Sequence, residues 1–363
     1  MSSENNIYCR AADSCPFAPA QRQKGENMRG IDVSAYQDKP NWMVVRESGI
    51  EMAIIRVANS KGEDVSFEHN YTGCEAAGIQ RGIYRYSYAK TIDAAVKEAM
   101  EVVRILNGRK LELGVWLDLE WKGQRNLGKK AITAIAKAWI QTIQAAGYAC
   151  GVYCNMDWYE NVLDTAALQV PYWIARYPKE DVGELKEHLK PDCGESGWQY
   201  SSKGHVNGIE GNVDLDVWYG SEDMSEKKRE IDDEALGSLQ EALNADGIQD
   251  KNGKLLQVDR KKGKLTDSAI QKVLMEAGAF DMQKGRYTVG STGEVVKWLE
   301  MRLDTVIGNS IKALLGHTLT GGELPDGKYG NDVHLAVGLL QEIRGLKKDY
   351  IAGPKTIIEL LYK

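Results

Sequence analysis

The stretch Val115-Trp116-Leu117-Asp118-Leu119-Glu120 ends an apolar run on two carboxylates two residues apart. Alternate residues of a strand share a face, so Asp118 and Glu120 point the same way and Val115, Leu117 and Leu119 the other. Two acids on one face repel each other and are costly to take out of water. A fold carries that cost more readily when the pair does acid–base chemistry. The alternative for this stretch alone is two solvated acids at the end of an exposed strand.

Further acids of the same kind occur elsewhere. Gly30-Ile31-Asp32-Val33-Ser34 is a short strand with an acid near its end, and Val213-Asp214-Leu215-Asp216-Val217-Trp218 is another. Asp216 shares the face of Asp214 if that strand is regular; Asp214 is preferred. Aromatic residues lie on strands of the same set. They include Tyr86 in Gly82–Tyr88, Trp173 in Tyr172–Tyr177 and Trp198 in Trp198-Gln199-Tyr200.

The elements that must position these residues alternate. Ala53–Ala58 reads as a continuous apolar strand. Phe67–Ala77 has helical spacing and stops at Gly78, and Ile92–Leu106 is a helix stopped by Asn107-Gly108. Lys130–Ala146 is a long helix with Trp139 in its core stripe, and Cys150–Cys154 is a strand. Apolar strands separated by helices argue for a parallel sheet covered outside, and seven or eight of them in about 190 residues suggest a closed barrel. Chemistry in such barrels sits at the C-terminal strand ends. There Asp32, Asp118, Glu120 and Asp214 converge with flat aromatic faces, as in a sugar cleft with acid catalysts.

The chain of 363 residues is long enough for two domains. Eight of its nine tryptophans precede residue 220, and 221–234 is dense in charge. The expected organisation is a polar tail (1–27), a barrel (28–220), a charged linker (221–234) and a small all-α part (235–363). A formal net charge of −6 with no basic stripe gives no footprint for nucleic acid. No apolar run is long enough for membrane insertion. The six cysteines fit no zinc spacing and the five histidines are scattered, so neither metal nor cofactor is expected, and the cysteines read as free thiols. The N-terminus lacks a basic start followed by an apolar core, which implies synthesis in the cytosol without a signal peptide. Nothing in the sequence fixes an oligomeric state.

The ordered set Arg29–Gln37, Asn70–Gly78 with Gly82–Tyr86, Trp116–Glu120, Gly151-Val152-Tyr153, Trp173-Ile174-Ala175, Trp198-Gln199-Tyr200 and Val213-Asp214-Leu215 resembles glycoside hydrolase family 25, the lysozymes of phage endolysins and autolysins. One departure is Arg85, where the family often has His, with a bearing on a subsite. The resemblance implies a (β/α) barrel of the family 25 type. It also implies hydrolysis of the β-1,4 bond between N-acetylmuramic acid and N-acetylglucosamine in bacterial peptidoglycan, the expected partner. Carried over by position, Glu120 is the general acid, Asp118 stays ionised, and Asp32 and Asp214 complete an acidic floor. Tyr86, Tyr153, Trp173, Trp198 and Gln199 are the implied substrate contacts. The route leans to retention with help from the substrate's acetamido group. Without an export signal, the expectation is an endolysin held in the host cytoplasm until release to the wall. The alternatives are a non-catalytic wall-binding protein and a chitinase-like glycosidase.

The second part repeats itself. Leu239–Leu243 recurs as Leu299–Leu303, and Asp259–Gly263 as Asp326–Gly330. Two copies follow, about 235–279 and 288–363, which resemble the three-helix peptidoglycan-binding domain. The first departs at Arg260, where Gly is usual. The alternative is a packing or dimerisation module.

Overall fold

The structure, a computed structural model, describes residues 27–219, 230–272 and 287–362. The tail before residue 27, most of the charged linker and the end of the first expected repeat lie outside the described residues.

β1 (Met28–Val33) leads through a 3-10 turn (Ala35–Gln37) to α1 (Trp42–Glu47). Next come β2 (Met52–Asn59), the two-residue β3 (Gly62–Glu63), α2 (Phe67–Ala77) and β4 (Gln80–Tyr86). α3 (Ile92–Leu106), β5 (Val115–Asp118), α4 (Lys122–Arg125) and α5 (Lys129–Ala145) follow. Then come β6 (Cys150–Asn155), a π turn (Trp158–Val162), α6 (Thr165–Leu168), β7 (Tyr172–Ala175), β8 (Gly197–Gly204) and β9 (Val213–Trp218). α2 stops at left-handed Gly78 and α3 at left-handed Asn107, where the residue types predict the ends.

The sheet runs β1-β9-β8-β7-β6-β5-β4-β2 and closes through β1–β2, with β3 appended to β2. Its pairings are parallel from β1 round to β8, whereas β9 is antiparallel to both neighbours. An all-parallel sheet is therefore corrected at one strand. Only residues 205–212 join β8 to β9, and a parallel crossover needs a dozen or more. The reversal puts the N-terminal end of β9 at the mouth formed by the C-terminal ends of the others.

Strand alternation sorts the core. Val115, Leu117 and Leu119 face outward into the layer under the helices, with Ile31, Ile55 and Val152. Met52, Ile54, Trp116, Trp173 and Trp218 face inward and plug the barrel. Each indole takes about 150–250 Å² out of water, so the closed end is filled and the open end is left to polar groups.

The second part comprises α7 (Asp233–Ala245), α8 (Lys264–Lys272), α9 (Glu294–Leu315), α10 (Asn331–Ile343) and α11 (Pro354–Leu360). One turn occurs three times. Asp259, Asp326 and Asp349 each accept the backbone N–H two residues on, at 2.9, 2.8 and 3.1 Å. The next residue, Arg260, Gly327 or Tyr350, is left-handed, with φ of 58°, 70° and 61°. Its N–H is accepted by a buried side chain of the preceding helix, Gln240, Glu300 or Gln341, at 3.0, 2.9 and 2.8 Å. A third turn, Asp349–Thr356, thus joins the two found by sequence matching. Arg260 keeps the turn at the cost of a backbone region that glycine occupies without strain.

The helical part packs on the barrel's outer helices. Ala145 of α5 is buried in its core, and Met100 of α3 packs against it. Asn309 Nδ2 donates to Gln141 Oε1 at 2.5 Å, and the hydroxyls of Thr142 and Ser310 meet at 3.3 Å. These contacts follow a break in α9 at Ile307 (φ −133°, ψ 23°), which turns its second half onto α5.

Candidate active site

The open end of the barrel holds a cleft of about 550 Å³. Asp32 comes from the end of β1, Asp118 ends β5, Glu120 lies two residues beyond, and Asp214 begins β9. Asp32 and Asp214 are register partners across the β1–β9 ladder. Asp216 lies one layer deeper, where Trp173 Nε1 donates to its Oδ1 at 2.8 Å.

Each acid has a distinct setting. Asp32 Oδ2 accepts from Gln199 Nε2 at 2.5 Å. The amide oxygen of Gln199 accepts from the hydroxyls of Tyr153 (2.7 Å) and Tyr177, which fixes its orientation. Asp118 is buried, and its Oδ1 has no protein partner. Glu120 is half-buried at the wall. Desolvation is the main force on all of them. It raises Asp118 well above the usual carboxylate range, with Glu120 adding to the effect and Arg56 opposing it. It raises Glu120, with Asp214 adding to it, and pushes Asp214 up to about 6. Asp32 is raised by burial and then by Asp214 and Asp216. Asp214 therefore retains its proton into the mildly acidic range, and Asp118 is pushed in the same direction as Glu120. Burial works against the ionised Asp118 that the family resemblance implies. Its charge needs compensation that four neighbouring carboxyls do not supply.

Arg56, on the inward face of β2, lines the same cleft. Its Nε donates to Asp64 Oδ2 at 2.6 Å, and its guanidinium lies 5.2 Å from the centre of the Tyr36 ring. Asp64 also accepts from the N–H groups of Ala35 (3.2 Å) and Ser66 (2.9 Å). One buried carboxylate thus ties Arg56 to the loop that follows Asp32 and to the start of α2.

Of the residues singled out from the sequence, Asp32, Asp118, Glu120, Asp214, Tyr86, Tyr153, Trp173 and Gln199 line the cleft, and Trp198 does not. Trp198 and Gln199 are adjacent in β8 and so face opposite ways. The buried Trp198 indole donates to Arg176 O at 2.9 Å on the outer side. Trp173 is the floor: its ring packs 4.3 Å from that of Tyr153 and is 1% exposed. Arg85 does not line the cleft: it faces outward to α3 and pairs with Glu101 at 3.2 Å. Sequence reasoning missed Arg56, Tyr84, Tyr88 and Tyr177. Period two held the signal for three of them, because Tyr84, Tyr86 and Tyr88 share a face, as do Ile54 and Arg56.

A closed α/β barrel that opens on clustered, proton-retaining carboxyls between tyrosine walls has the build of a glycoside hydrolase. Residues 31–209 match glycosyl hydrolases family 25 and form a domain of that family. The chain is 28% identical over 250 residues to the autolytic lysozyme of Clostridium acetobutylicum, covering 67% of this chain and 72% of that one. It is 26% identical over 217 residues to lysozyme M1 of Streptomyces globisporus, covering 53% and 68%. The modular autolysin LytC from Streptococcus pneumoniae, solved with a synthetic peptidoglycan ligand, aligns at 26% identity and a TM-score of 0.46. That alignment covers 53% of this chain and 47% of LytC. The protein is an enzyme of the lysozyme type, and peptidoglycan is the substrate class the family assigns to it.

Proposed function

We propose that this enzyme cleaves the β-1,4 bond between N-acetylmuramic acid and N-acetylglucosamine with Glu120 as general acid. Glu120 is supported by its half-buried wall position and raised pKa, which keep a proton available to the leaving oxygen. The observation that carries the reading is Asp118 Oδ1, buried without a protein partner beside Glu120. A substrate acetamido N–H would donate to it, and that bond together with Arg56 favours the ionised form. So held, the acetamido oxygen attacks the anomeric carbon as Glu120 protonates the departing oxygen. Water then opens the cyclic intermediate, giving its proton back to Glu120, and the configuration is retained. Asp32 and Asp214 orient water or substrate on the floor.

Glu120→Gln tests the assignment, because it keeps the wall's shape and removes the transferable proton. Glycan binding should persist while lysis falls by about 10²–10⁴. Mass spectrometry of digested wall should show muramic acid at the new reducing ends; glucosamine ends would favour the chitinase-like reading. A first-formed product of inverted configuration would exclude the acetamido route.

The helical part, 235–363, serves as a wall anchor. It raises the local concentration of glycan at the cleft, supported by its three repeated turns and by a core built mainly of its own helices. In an endolysin setting the enzyme waits in the host cytoplasm. Expression there should lyse cells only when a pore-forming protein opens the membrane, and lysis without one would reject that setting.

A further inference from the structure

The cleft continues past Glu120 along an aromatic ledge. Tyr86 ends β4 and Tyr88 follows two residues on, with ring centres 4.9 Å apart. Trp121, next to Glu120, meets Tyr88 edge-on at 5.3 Å. Lys90 Nζ lies 4.9 Å from the centre of the Trp121 ring. Tyr86, Tyr88 and Trp121 are part-exposed and Lys90 is exposed. No described residue offers Lys90 a carboxylate at ion-pair distance.

The ledge is held from beneath. Trp121 lies across Gly123 so closely that a Cβ there would fall 2.4 Å from its ring. Gln124, wholly buried, donates to Ala89 O at 2.8 Å and to Ser87 Oγ at 3.3 Å, which joins the Trp121 loop to the Tyr88 loop. Glu98 of α3 accepts from Ser87 Oγ at 2.7 Å and Tyr88 N–H at 2.9 Å. Arg85 backs Glu98 at 3.8 Å. These buried polar contacts fix surface rings that packing alone would leave mobile.

We infer that Tyr86, Tyr88, Trp121 and Lys90 form a further subsite for a muramic acid unit, with the rings under the sugar and the Lys90 ammonium on a carboxylate of its 3-O substituent. Charge complementarity selects this occupant. The cleft floor is crowded with carboxyls and its Arg56 is already tied to Asp64, whereas the far end of the ledge offers Lys90 with no described carboxylate at ion-pair distance. The carboxylate belongs either to the stem peptide or to the bare lactyl group. The inference rests on the glycosidase reading and adds what would distinguish peptidoglycan from a neutral polymer of the same sugars.

The test compares the full-length enzyme with Trp121→Ala, Trp121→Phe and Lys90→Met on three substrates. These are strands bearing stem peptides, strands stripped to the lactyl carboxylate, and stripped strands capped as the methylamide. Trp121→Ala should lower kcat/KM about tenfold on all three, with Trp121→Phe retaining most of it. Lys90→Met should cost about two- to fivefold, and less at high salt, only where a carboxylate is present. A loss confined to the first substrate identifies the stem peptide, a loss confined to the second identifies the bare lactyl group (whose carboxyl is an amide in the first), and a loss on both shows that Lys90 takes either carboxylate. An equal Lys90→Met effect on all three, or none on any, overturns the subsite, as does a Trp121→Ala enzyme with full activity. If the unmodified enzyme opens none of the strands, the glycosidase reading fails instead.

Discussion

Asp32 and Asp214 face each other across the β1–β9 ladder, and the reversed direction of β9 puts them there. In the folded protein Asp214 holds its proton up to about 6, against an ordinary value of 3.8. Below the ordinary value both folded and unfolded chains are protonated, so folding costs nothing extra. As pH rises toward 6 the unfolded chain releases the proton more readily, and stability falls. Asp214→Asn removes that loss. The variant should match the ligand-free parent in thermal melts near pH 4 and gain on it progressively toward pH 7. A difference that stays constant across this range would remove Asp214 from the linkage.

Arg56 is the guanidinium that opposes the rise of Asp118, and Asp64 aims it. If Asp118 must be ionised to act, losing Arg56 should make that ionisation harder. Arg56→Met should move the acidic limb of the kcat/KM profile upward by about one pH unit and lower the plateau. Arg56→Lys should restore most of the limb position and less of the rate, because an ammonium cannot reproduce the Nε bond to Asp64. Asp64→Asn should behave as a weaker Arg56→Met. A profile that falls in height without moving would assign Arg56 a packing role.

Most of the barrel was legible because its signals are local. Period-two alternation placed Asp118 and Glu120 inward, and Gly78 and Asn107 marked helix ends. The direction of β9 was not, since nothing within six residues records which neighbours they join; the brevity of 205–212 was the available clue. Trp198 was chosen for being aromatic, although its neighbour Gln199 occupied the inward face. Arg56 was absorbed into what read as a continuous apolar strand, and its role depends on Asp64, which is brought back by the turn at β3. The sequence shows a further turn over Gly345–Pro354, but not that it repeats the other two, because Tyr350 stands where glycine is the usual signal, its left-handed backbone held by Gln341.

That threefold turn isolates one position chemically. Gln240 and Gln341 each accept a backbone N–H and donate through Nε2 to the turn's aspartate, at 3.0 and 2.8 Å. Glu300 accepts from Gly327 N–H at 2.9 Å but offers a carboxyl to Asp326. Burial, opposed by that N–H and reinforced by Asp326, pushes Glu300 up to about 7, while Lys297 stands nearby with its own pKa raised chiefly by Glu294. Its ordinary value is 4.5, so the neutral form supports the turn below that pH and the support is lost as pH rises through 7. Glu300→Gln installs the amide used at the other two turns. It should stabilise the protein by about 1 kcal/mol at pH 8, a shift of a few degrees in Tm, and do nothing at pH 5. Hydrogen exchange at the Gly327 amide should slow in the variant at pH 8 relative to the parent. Equal melting at both pH values would show that the Glu300–Asp326 pair carries no proton-linked cost.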